Sequence, residues 1–84
     1  MDIRFTQSAR KHRISKGRAL YVIENSSPEF VSGGSFIRDK IIWISKDDRG
    51  IELEIVAVTE DDHLLVIHVM PTIFRKDHKR WNLK

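Results

Sequence analysis

Glu54 and His68 are the two residues of this chain best suited to act together in chemistry. Each lies in a segment rich in β-branched residues, and antiparallel pairing of the two segments sets the carboxylate across from the imidazole. A carboxylate opposite an imidazole can raise its proton affinity and fix its orientation, an arrangement that suits general acid–base work. The same arrangement also reads as a plain cross-strand charge pair on a solvated sheet face. Cations flank it in sequence. Arg10, Lys11, His12, Arg13, Lys16 and Arg18 form one cluster, and Arg75, Lys76, His78, Lys79 and Arg80 form another with Trp81 beside it. Such clusters hold phosphates, and an aromatic among cations stacks on a base; each also reads as an ordinary solvated surface. Trp43 is expected on the same open face, where it either stacks on a base or covers apolar surface for a partner chain. The acids Asp47, Asp48, Glu60, Asp61 and Asp62 lie in turns without calcium-loop spacing. His12, His63 and His78 are scattered without zinc spacing, so neither metal nor cofactor is expected. There is no P-loop, dinucleotide fingerprint or nucleophile elbow.

These residues need a scaffold, and the sequence outlines one. Asp2–Phe5 has the make-up of a short edge strand. Thr6 or Ser8 can cap a first helical turn running to Arg13. Ser15 caps a better helix, Lys16–Asn25, with Ala19, Leu20, Ile23 and more loosely Val22 on one side; Ser26-Ser27-Pro28 stops it. Residues 28–34 read as loop. Three strands follow at 41–44, 51–59 and 63–70, separated by the turns Lys46–Gly50 and Glu60–Asp62, and Pro71 ends the last. The expectation is α+β, with one or two N-terminal helices packed on a three- to four-stranded antiparallel sheet. Face matching gives a register with Ser45 across from Gly50 and Thr59 across from His63. Ile42, Ile44, Ile51, Leu53, Ile55, Ala57, Leu65, Ile67 and Val69 then share the core face. Trp43, Glu52, Glu54, Val56, Val66, His68 and Met70 share the other. A one-residue slip of the second hairpin would bury His68 in the core, and the chosen register avoids that.

Eighty-four residues make a single domain (1–84) with a thin stability margin, which makes a partner chain plausible. There is no cysteine, six basic residues crowd positions 1–20, and no apolar run is long enough for a bilayer. These features point to a cytoplasmic protein. The net charge of +3 is the sum of +4 in residues 1–40, −5 in 41–70 and +4 in 71–84. Basic ends around an acidic middle suit RNA or an acidic protein partner.

The run Ser8-Ala9-Arg10-Lys11-His12-Arg13-Ile14-Ser15, with Ala19 and Val22-Ile23 after it, resembles the N-terminal half of BrnT-type toxins. These belong to the RelE/ParE-like group of bacterial type II toxin–antitoxin systems. In that family a Lys-His-Gly-Val/Ile-Ser run joins two helices, and a three-stranded meander and a basic segment follow. Arg13 stands here where the family has glycine, and Pro71-Thr72 stands where it has a Ser-Ala-Arg run. The resemblance implies an endoribonuclease that cleaves RNA or ribosome-bound mRNA and arrests growth, and cleavage by 2′-hydroxyl attack with Glu54 and His68 exchanging protons would require no metal. It further implies neutralisation by a cognate antitoxin encoded by an adjacent gene. Carried over by position, it implies roles for Arg49, Glu54, His68 and Arg75 in catalysis, and for Lys11 and His12 less directly. Arg13, Trp43, Lys79 and Arg80 join Lys11 and His12 as candidate RNA contacts. The competing expectation is a non-catalytic module that binds RNA or a protein, or pairs with itself as a homodimer.

Overall fold

The computed structural model describes residues 2–34 and 38–74. The chain is α+β: among the described residues one α-helix, α1 (Lys16–Asn25), lies on a sheet of five strands, β1 (Asp2–Phe5), β2 (Glu29–Val31), β3 (Lys40–Lys46), β4 (Glu52–Thr59) and β5 (His63–Pro71). The strand order is β1-β5-β4-β3-β2. The sheet is therefore larger than the expected three or four strands, and it is mixed, because β1 runs parallel to β5. A parallel neighbour cannot come from a hairpin, so nothing local in the sequence announces this pairing. β2 was expected as loop; with Pro28 before it and Gly33-Gly34 after it, it is too short to display a period, and the free edge of β3 recruits it.

α1 has the expected bounds. The Ser15 hydroxyl accepts from the Arg18 N–H at 3.2 Å, satisfying one of the orphan donors of the first turn. At the other end the Ser26 hydroxyl donates to the Val22 carbonyl. The expected first helix is only a 3-10 turn, Ser8–Arg10, with Thr6 Oγ1 accepting from the Ala9 N–H. It cannot run on to Arg13, whose φ of 60° is left-handed.

Both hairpins depart from the expected register, for different reasons. In the first, Ser45 pairs with Leu53 rather than Gly50, a shift by an odd number of residues that turns every β3 side chain over. The cause is Asp47. Its Oδ1 accepts from the Arg49 and Ile51 N–H groups at 2.8 and 2.9 Å, and Gly50 adopts φ 80°. The side chain thus closes a longer turn than the backbone alone would make. Trp43 and Ile41 consequently face the helix, with Trp43 only 4% exposed, while Ile42 and Ile44 face outward and Ile51 is exposed in the turn. The open-face position expected for Trp43 is thereby overturned.

In the second hairpin, Ala57 pairs with Val66 and Val56 with His68, so Ile67 is an extra residue bulged out of the ladder. Before the bulge β5 follows the slipped register, after it the face assignment originally expected. Val66, expected on the open face, is fully buried, yet His68 still points away from the core; Leu65 and Ile67, expected in the core, are half-buried. The core consists of Ala9, Ala19, Val22, Ile41, Trp43, Leu53, Ile55, Ala57, Val66 and Val69, flanked by Ile3, Phe5, Ile14, Ile23 and Leu64. Among the described residues no helix is long and apolar enough to cross a membrane.

Candidate functional site

The strict alternation of Leu53, Ile55 and Ala57 into the core fixes Glu54 and Val56 on the opposite face of β4. Glu54 stands between Ile44 on β3 and Met70 on β5, and His68 stands opposite Val56. Glu54 and His68 are therefore diagonal neighbours, not directly opposed as expected. Diagonal side chains of this length still meet. His68 Nε2 lies 3.4 Å from Glu54 Oε2, with the two side chains 32% and 20% exposed.

His68 Nε2 is itself buried and, among the described residues, has no hydrogen-bond partner. A buried polar atom left without a hydrogen bond costs about 1–3 kcal/mol and calls for an explanation. The 3.4 Å gap to the carboxylate is longer than an ordinary hydrogen bond, and a small side-chain movement would close it. The neighbouring side chains Ile42, Val56 and Met70 are half-buried and apolar. One step nearer the sheet end, the Thr72 hydroxyl donates to Glu52 Oε1 at 2.7 Å. The roles of Ile42, Ile44 and Thr72 around the pair were not foreseen; only the correct β3 register and the strand's extension to Pro71 reveal them.

The other expected residues distribute unevenly. Arg49 is exposed at the tip of the β3–β4 hairpin. Arg18 joins that same turn to the start of α1 through Asp47 Oδ2 at 2.6 Å, so it is occupied structurally and leaves the set of candidate phosphate contacts. Lys16 lies over the Phe5 ring, 5.8 Å from its centroid. Lys11 and Arg13 are exposed in the loop before α1, and His12 there rests against Phe74 with ring centroids 6.0 Å apart. Phe74 belongs to the 3-10 turn Thr72–Phe74 that follows β5. These contacts gather Lys11, His12, Arg13 and the Arg49 hairpin at the sheet end where β5 finishes. The opposite end holds Glu60, Asp61 and Asp62 in the β4–β5 turn, with Asp2 at the start of β1. Arg4 and Arg38 pair with Asp2 and Glu60 at that end, and the Glu54–His68 pair lies toward the end that carries Lys11, Arg13 and Arg49. Trp43 takes no part. Arg75, Lys79, Arg80 and the aromatic Trp81 lie outside the described residues. Among the described residues no three acidic or histidine side chains converge on a possible metal position.

Arg13 occupies a backbone conformation that suits glycine, the residue the BrnT-type run has there. A left-handed φ costs a side-chain-bearing residue about 1–2 kcal/mol. Arg13→Gly is expected to stabilise the fold by about 1 kcal/mol, raising the thermal midpoint by about 4–8 °C in a scanning calorimeter. An unchanged or lower midpoint would contradict strain at this position.

In comparison with known proteins, the sequence matches no family model, and neither the curated proteins nor the solved structures give a match.

Proposed function

We propose that this chain is the toxin of a bacterial toxin–antitoxin pair, a metal-independent endoribonuclease working from the open face of its sheet. The observation that carries the reading is the Glu54–His68 pair, with the buried Nε2 held 3.4 Å from the carboxylate. Strand cleavage in RNA by its own 2′-hydroxyl needs a proton acceptor, a proton donor and cations near the phosphate. The 2′-oxygen attacks phosphorus and its proton passes to Glu54. The bond to the 5′-oxygen breaks, and that oxygen takes a proton from His68. The product is a 2′,3′-cyclic phosphate and a free 5′-hydroxyl. Arg49 and Arg75 would steady the phosphate, and Lys11, His12, Arg13, Lys79 and Arg80 would track the RNA backbone. Trp43 is withdrawn from this set because it is buried. The resemblance of residues 8–15 to BrnT-type toxins, and the left-handed Arg13 at the family's glycine position, favour the same reading. A cognate antitoxin is the partner it entails.

The test is cleavage of labelled single-stranded RNA in the presence of EDTA, alongside expression in bacteria. The wild-type chain should yield cyclic-phosphate ends and arrest growth. His68→Gln or Glu54→Gln should each lower the cleavage rate by about 100- to 10,000-fold while circular dichroism shows the fold retained. Intact RNA after long incubation, together with normal growth, would falsify the proposal.

A further inference from the structure

The two edges of the sheet are protected differently. On β1 the Arg4 and Asp2 side chains pair with each other at 2.9 Å, keeping charge along that edge. On β2 the central residue is Phe30, 72% exposed, with the exposed Val31 beside it. Pro28 directly precedes the strand and limits it to Glu29–Val31. Its inner side pairs with β3, setting Glu29 across from Ile42, Phe30 across from Ile41 and Val31 across from Lys40. Among the described residues its outer side faces no strand.

We propose that two copies of this chain pair antiparallel through the outer edges of β2, with Phe30 opposite the partner's Phe30. Two observations select a second copy as the occupant and fix this register. A two-fold pairing centred on Phe30 covers one exposed ring with the other and sets Glu29 across from the partner's Val31, whereas centring on Glu29 would oppose two carboxylates. The second observation is charge. Glu29, Val31 and Lys40 share the open face, since Val31 is directly opposite Lys40 and two residues from Glu29. Glu29, the partner's Val31 and the partner's Lys40 therefore fall in one line across the joined sheet. Successive strands are about 4.8 Å apart, so Glu29 and the partner's Lys40 are separated by about 10 Å at Cα, and their side chains can meet over the short valine between them. Symmetry makes this pair twice. Neither Glu29 nor Lys40 forms an ion pair within the chain among the described residues. The strand is short, so the dimer is weak and concentration-dependent. This association does not depend on the proposed activity, whose site lies on β4 and β5.

Sedimentation velocity over a dilution series tests it. The wild-type mass should rise with concentration from 9.9 kDa toward twice that value. Glu29→Lys and Lys40→Glu should each weaken association by about tenfold or more, and the charge-swapped double variant should restore it. Because the chain has no cysteine, Phe30→Cys should cross-link two copies on oxidation while Glu29→Cys should not. A mass of 9.9 kDa at every concentration overturns the proposal. So does a dimer indifferent to Glu29→Lys, or an edge occupied only by a strand of a different protein.

Discussion

Asp47→Ala is expected to remove about 3–5 kcal/mol of stability, because it strips the partner from a largely buried cation. The Asp47 side chain is fully buried and the Arg18 side chain only 15% exposed. Asp47 also accepts from the Arg49 and Ile51 N–H groups. Alanine leaves all three donors without their acceptor. A domain of this length has about 4–13 kcal/mol in total, so the loss approaches the whole margin. In urea the midpoint should fall sharply with the slope unchanged. Arg18→Ala should cost less, since the carboxylate keeps two backbone donors, and the double variant should cost less than the sum. A loss below about 1 kcal/mol for Asp47→Ala would sink this account.

The same residue gives the fold an acid limit. Burial pushes the Asp47 carboxyl up, but the Ile51 N–H, the Arg18 guanidinium and the Arg49 N–H together outweigh it and hold the group below its ordinary value of 3.8. A depressed carboxylate stabilises the fold fully above its unfolded pKa, and that stabilisation is lost as pH falls through the folded value. Part of the acid sensitivity below pH 3.8 should therefore disappear in Asp47→Asn.

Asp47 also explains what the sequence left hidden. α1 was legible to the residue because its signals are local: a serine cap, an apolar stripe and a Ser-Ser-Pro stop. The three long strands were legible from their β-branched residues. Register was not, because it depends on where side chains interrupt the ladder. The Asp47 carboxylate lengthened one turn, and the bulge at Ile67 divided the other hairpin into two registers. The Glu54–His68 pair shares the open face in spite of both shifts for a specific reason. Glu54 is fixed by the alternation within β4 alone, and His68 follows the bulge, where β5 regains the face first assigned to it. Trp43 had no such protection, since its face depended wholly on the β3–β4 turn. The β1–β5 pairing joins opposite ends of the chain, and no short-range pattern encodes it.

Trp43 therefore provides the second large prediction. An aromatic on an open recognition face can be truncated at little cost to folding, with the loss appearing in binding. The buried Trp43 packs among Ile41, Leu53, Ile55 and the helix residues Ala19 and Val22 in one core. Trp43→Ala should cost about 3–5 kcal/mol through the cavity left behind. Ile44→Ala, on the neighbouring but outward-facing position, should change stability by less than about 1 kcal/mol. Spectroscopy separates the two placements without relying on stability. In a Trp81→Phe background, Trp43 is the sole tryptophan of the chain. Its emission should be blue-shifted and resist iodide until urea unfolds the protein, and adding RNA should leave it unchanged. Ready quenching in the native state would return Trp43 to the open face and with it the shorter β3–β4 turn. The approach of Glu54 to His68 would stand even then, because it rests on β4 and β5 alone, but Ile42 and Ile44 would no longer flank the pair.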